Sequence, residues 1–196
     1  MLLMEDLNMG TFKISFILLI VVAVLLVAYA ISTYNRFVSL GNKVDEAYST
    51  MDVYLKKRYD LIPNIVETVK GYAKHESQTL ENVIAARNKA LTSATPAEKA
   101  EAEKEFSGTL SRLLALTEAY PELKANTNFM ELQGQLTNME GEIANARKYY
   151  NGVVKTFNTM VESFPSNILA GIFNFNTQPL FTVTSEAERE NVKVQF

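Results

Sequence analysis

From Ile14 to Ile31 the chain reads "ISFILLIVVAVLLVAYAI", and no charged residue stands between Lys13 and Arg36. At about 1.5 Å per residue, an α-helix over this run spans roughly 27 Å, close to the ~30 Å hydrocarbon core of a bilayer. The pattern predicts a transmembrane helix over 14–31, preceded by a leader over 1–13. A cleaved signal peptide is the competing reading, because Ala28-Tyr29-Ala30 has the small-x-small form of a cleavage site. It fits less well, since the leader "MLLMEDLNMGTF" carries Glu5 and Asp6 where a basic n-region is required. Met4 and Met9 are alternative starts, and a start at Met9 removes those acids.

Beyond the run, apolar residues become periodic. Phe37, Leu40, Val44, Ala47, Met51, Leu55, Tyr59 and Ile62 recur every three or four positions, the spacing of one helix face. No Gly/Ser/Pro-rich linker intervenes, so a first soluble helix, 32–75, is expected to continue the span directly. Pro63 falls inside it, in "KKRYDLIPNIVETVKGYAKHE", and lacks the N–H that would bond to the carbonyl of Tyr59. The favoured reading is one helix kinked at Pro63, with the freed carbonyl meeting water or a neighbour such as the Asn64 amide. The alternative starts a new helix there, capped by Asp60.

A second helix is expected over 78–92, using Leu80, Val83, Ile84, Arg87 and Leu91. Thr95 as N-cap and Pro96 at the first helical position open a third, 96–120, with Phe106, Leu110, Leu113, Leu114 and Thr117 inward and "EKAEAEKE" outward. A fourth, 127–164, follows Phe129, Leu132, Leu136, Met139, Ile143, Ala146, Tyr150, Val153, Phe157, Met160 and Val161 up to Pro165. Short connections between amphipathic helices predict an all-α fold, an antiparallel four-helix bundle over 32–164 continuous with the N-terminal transmembrane helix. The first and fourth helices, roughly 57 to 66 Å, outreach the second and third at ~25 to 37 Å. The excess forms an expected two-helix stalk whose Phe37, Leu40, Val44, Met51, Val153, Phe157 and Met160 are candidates for homo-oligomer contacts.

Residues 165–196 are expected to be an aromatic-rich segment and a short irregular tail. "FPSNILAGIFNFNTQPLF" places Phe164, Ile168, Leu169, Ile172, Phe173, Phe175 and Phe181 outside a regular long helix. These are candidates for a lipid or protein interaction surface, against the plainer role of capping the end of the bundle. In "NVKVQF", Val192, Val194 and Phe196 alternate, and a tail is favoured over a strand.

Charge and chemistry narrow the function. A formal net charge of −3 offers no concentrated basic face, so nucleic acid is not an expected partner. "KKR" at 56–58 reads as a solvated face. Zero cysteines exclude disulfides and thiolate chemistry, and the single histidine, His75, reads as a helix-end residue. Glu98, Glu101 and Glu105 share a helix face but have no Glu-x-x-His partner. Of Tyr149 and Tyr150, about 100° apart on a helix, one is expected to pack and the other to face out. No Gly-rich loop or nucleophile elbow is present. No catalytic residue, metal or cofactor is expected, and the lipid bilayer is the expected partner alongside an unidentified protein.

Several stretches in order carry a resemblance: "YNRFVSLGNKVDEAYSTM", "YLKKRYDLIPNIVETVKGYAKHE", "VIAARNKA", "YPELKANTNFMELQGQLTNMEGEIANARKYYNGVVKTFN" and "FPSNILAGIFNF". In these the chain resembles the LemA family from the end of the span to the C-terminus. The resemblance implies a membrane anchor carrying an antiparallel helical bundle, and it implies no reaction, substrate or cofactor. The acidic leader departs from the family pattern. The expected function is a non-enzymatic, single-pass interaction, scaffold or regulatory protein at a bacterial cell membrane. The alternative is an enzyme or small-ligand binder with a site in the bundle. Lys13 on one side of the span against Arg36 and Lys43 on the other sets no orientation.

Overall fold

A computed structural model describes the backbone of residues 2–182 and the side chains of residues 13–182. Among the described residues there are six helices and no strand: α1 Leu2–Lys70, α2 Ser77–Thr92, α3 Pro96–Thr117, α4 Pro121–Lys124, α5 Thr127–Glu162 and α6 Ser166–Phe173. The expectation for Val192, Val194 and Phe196 lies outside the described residues. Two compact units are present, the described parts of 1–43 with 156–177 and of 44–155 with 178–196.

In the 44–155 unit, buried stripes from four helices form the core. Ala47, Met51, Leu55, Tyr59, Ile62, Ile65 and Val69 come from α1, and Leu80, Val83, Ala86 and Ala90 from α2. Phe106, Leu110 and Leu113 come from α3, and Phe129, Leu136, Ile143, Tyr150 and Val154 from α5. The sets recur at three-, four- or seven-residue steps, all close to whole turns of a helix, which is why the periodicity of the sequence locates these faces. Tyr150 is buried and Tyr149 exposed.

Pro63 is exposed and lies inside α1 without ending it. The freed carbonyl of Tyr59 accepts from a neighbouring side chain, Arg87 Nε of α2, at 2.7 Å. α1 stops at Lys70, five residues short of His75. Ala73 keeps the helical spacing and is buried because its N–H still reaches the carbonyl of Val69 at 2.8 Å, but the chain then turns through 74–76. His75 is exposed in that connection, beyond the C-terminal end of α1 and two residues before α2 begins.

α3 begins with a complete capping box. Glu98 N–H donates to Thr95 Oγ1 at 3.2 Å, and Thr95 N–H donates to Glu98 Oε2 at 3.1 Å. α3 ends at Thr117 rather than 120, since the next three N–H groups bond three residues back. Pro121 then opens α4, a single turn that buries Leu123 and that periodicity cannot show. Asn126 caps α5, accepting from Phe129 N–H at 3.0 Å, and its side-chain amide donates to Tyr72 Oη at 3.0 Å.

In the other unit, α5 ends at Glu162 and the Phe164-Pro165 peptide is cis. The aromatic-rich stretch expected outside a regular long helix contains the short α6. A proline ends the preceding helix but leaves the residues after it free to restart, and Ser166 Oγ donates to the carbonyls of Met160 and Ser163 at 2.7 and 2.9 Å. Asn174, at φ 57°, terminates α6 in the left-handed conformation.

Candidate functional site

Arg58 and Glu103 are the two most deeply buried charges described in the 44–155 unit. Arg58 is the third residue of "KKR", and its neighbours Lys56 and Lys57 are exposed as expected, but Arg58 itself is not on a solvated face. It sits three residues after Leu55 and four before Ile62, on the stripe that enters the core. Its Nη1 donates to Glu140 Oε1 of α5 at 2.7 Å, and its Nη2 donates to Glu103 Oε2 of α3. The Tyr59 hydroxyl donates to the other oxygen of Glu103. Phe106 lies 5.0 Å below the guanidinium and meets the Tyr59 ring edge-on at 5.5 Å. Lys99, also buried, pairs with Asp52 at 2.7 Å. Glu103 and Lys99 thus correct the reading of "EKAEAEKE" as a wholly outward face, while Glu98, Glu101 and Glu105 are exposed.

Burial alone would lower the Arg58 pKa, but Glu103 and Glu140 outweigh it and hold the guanidinium above its ordinary value. Burial, then the Glu103 charge, pushes the Tyr59 phenol up, so it keeps its proton. Both Glu103 oxygens are engaged by donors. The charges of the cluster are therefore paired with one another. Arg58 Nε is buried with no acceptor among the described residues. Arg58 also lines a cavity of about 370 Å³ whose wall includes Ser111, Gln133, Thr137, Glu140 and Arg147. Among the described residues no group of three or more His, Asp and Glu could hold a metal ion.

The residues expected at an interaction surface divide. Phe164, Ile168, Ile172 and Phe173 are exposed, while Leu169 and Phe175 are half-buried. Phe181 does not belong to such a surface. It is buried in the 44–155 unit, where its N–H and carbonyl both bond the Asn151 amide at 2.8 and 3.1 Å. Of the residues expected at a stalk, Phe37, Val44, Met51 and Phe157 are buried within their own chain, and Leu40, Val153 and Met160 are half-buried. Phe37 is covered because Phe175 stacks on it at 4.7 Å and Phe157 meets it edge-on at 6.1 Å.

Comparison with known proteins finds similarity at modest identity. Residues 47–196 match the model of the LemA family. Magnetosome proteins MamQ 1 and MamQ 2 of Paramagnetospirillum magneticum are each 26% identical over 193 residues, covering 83% of this chain and 71% of theirs. Protein LemA of Metamycoplasma hominis is 23% identical over 188 residues, covering 93% of this chain and 84% of its own. The family match extends over more than half of the sequence, across the Arg58 cluster, the capping box and α6, and the chain belongs to the LemA family.

Proposed function

We propose that this chain is a single-pass membrane protein of a bacterial cell envelope whose 44–155 unit is an antiparallel four-helix bundle acting as a non-enzymatic interaction module. One observation carries the reading. α1 is uncharged and almost wholly exposed over 14–31, yet the same helix supplies seven buried apolar core residues after Val44. An exposed run of that length is stable only in lipid. The bundle arrangement is supported by side-chain bonds from α1 to α2, α3 and α5 at Tyr59 and Arg58. The paired charges at Arg58 favour a structural role over acid–base chemistry.

Expression of the full chain followed by alkaline carbonate washing tests the anchor. The chain is expected to remain with the membranes, and Leu18→Asp with Val22→Asp and Leu26→Asp is expected to release it. Release of the unaltered chain by carbonate overturns the reading. Affinity capture from detergent-solubilised membranes, with the anchor intact, then tests the interaction role through a stoichiometric protein partner.

A second reading has its own observation, the unpartnered Arg58 Nε beside the cavity. A small molecule presenting an oxygen acceptor there would complete the hydrogen bonding of Arg58. Native mass spectrometry of the solubilised chain distinguishes the two. A stoichiometric bound small molecule, lost in Thr137→Trp, favours the ligand reading.

A further inference from the structure

We propose that α6 is an interfacial helix, its outer side seated in the headgroup and acyl boundary of the same bilayer that α1 crosses. This rests on the anchoring reading above and adds a second, non-spanning contact with lipid.

Three observations within the 1–43 and 156–177 unit converge. The first is position. Tyr34 lies three residues past Ile31, a rise of about 4.5 Å, and it holds α6 against α1: its ring meets Phe173 edge-on at 4.8 Å and Phe175 at 5.8 Å. Tyrosines concentrate at membrane–water interfaces, and Tyr29 and Tyr34 flank the end of the apolar run. α6 is therefore pinned at the depth where the span leaves the hydrocarbon. Arg36, exposed two residues further on, is placed to meet phosphates.

The second is division of faces. Ser166 and Ala170, one turn apart and small, are buried, while Ile168 and Ile172, also one turn apart, are 55% and 63% exposed. Phe164, just before the helix, is 81% exposed and Phe173 47%. Large aliphatic and aromatic side chains are thus turned outward while small ones face the protein, the reverse of a helix built for water. The third is charge. No Asp, Glu, Lys or Arg occurs between Glu162 and Glu186, so the polar positions are Ser, Asn, Thr and Gln, which can bond headgroups without desolvating an ion.

The absence of cysteine from the chain allows single-site spin labels. Ile172→Cys, Val24→Cys and Asn88→Cys variants of the full chain, labelled and reconstituted in vesicles of mixed phosphatidylcholine and phosphatidylglycerol, report depth through collision with oxygen against a water-soluble nickel chelate. The ratio at residue 172 is expected to be several-fold above that at 88 and below that at 24. A water-like 172 with a deep 24 overturns the interfacial helix and leaves the anchor standing. A label at 172 shielded from both reagents also overturns it, because protein rather than lipid then covers the face. A water-like 24 fails the anchoring reading itself.

Discussion

Arg58 carries a full charge into the core because two carboxylates and a ring meet it there, and such an arrangement is costly to break from one side only. Arg58→Met strands Glu103 in the interior with Tyr59 alone, and a loss of about 3–5 kcal/mol is expected in urea denaturation of the solubilised chain. Adding Glu103→Leu is expected to return much of it, since neither buried charge then remains. Arg87 works on the backbone. Its Nε fills the place of the N–H that Pro63 lacks, so Arg87→Met is expected to cost about 1–3 kcal/mol by orphaning the Tyr59 carbonyl. In a Pro63→Ala background that loss shrinks, because a restored backbone donor reaches the same carbonyl, and a double-mutant cycle reads the difference. Tyr48 gives a pH signature. Burial, then Asp52 and Tyr150, raises its pKa from 10.0 to about 12, so the fold prefers the neutral phenol. Its contribution is complete below pH 10 and disappears as pH rises through about 12. Thermal melts across that window are expected to decline less steeply for Tyr48→Phe.

At the level of helices, what periodicity could reveal depends on whether a residue's side chain or its bonding decides its place. The faces of α3 and α5 were legible because burial there follows the 3.6-residue repeat, and the start of α3 was legible in Thr95-Pro96, whereas α2 buries the small Ala86 and Ala90 and leaves Ile84, Arg87 and Leu91 half-buried. The buried Arg58 and Glu103 were hidden by composition. Both stand at helical spacing from apolar neighbours, Leu55 and Ile62 for one and Phe106 for the other, but their charged sequence neighbours drew them into solvated runs. That spacing was the available signal. α6 and α4 were missed for a different reason: α4 opens on Pro121 and α6 follows Pro165, and at four and eight residues both are too short to establish a period. Helix propensity leaves room for improvement within α5. Gly141 is mid-helix, and a Cβ there would meet nothing within 4 Å. Gly141→Ala is expected to add about 0.5–1 kcal/mol, seen as a higher melting temperature.

Across the whole molecule, apolar residues serve two solvents. Those after Val44 are largely covered by protein, whereas the run over 14–31 and the outer side of α6 face outward with no protein over them. The covered Phe37, Val44, Met51 and Phe157 make substitutions there tests of folding rather than of assembly. The polar bonds around Arg58 and Tyr59 also differ in how much chain each must close. Arg87 reaches Tyr59 across 28 residues, Glu103 reaches Arg58 across 45, and Glu140 reaches it across 82. Loop-closure entropy grows with that separation, so the α1–α2 hairpin is the least expensive nucleus and the docking of α5 the last event. Stopped-flow refolding of the full chain in micelles should then find Arg87→Met slowing the forward rate, with a φ-value near 1, while Glu140→Ala chiefly accelerates unfolding. The opposite assignment would mean that α5 docks on α1 before α2 folds back, and that the proline gap is bridged only after the core has closed.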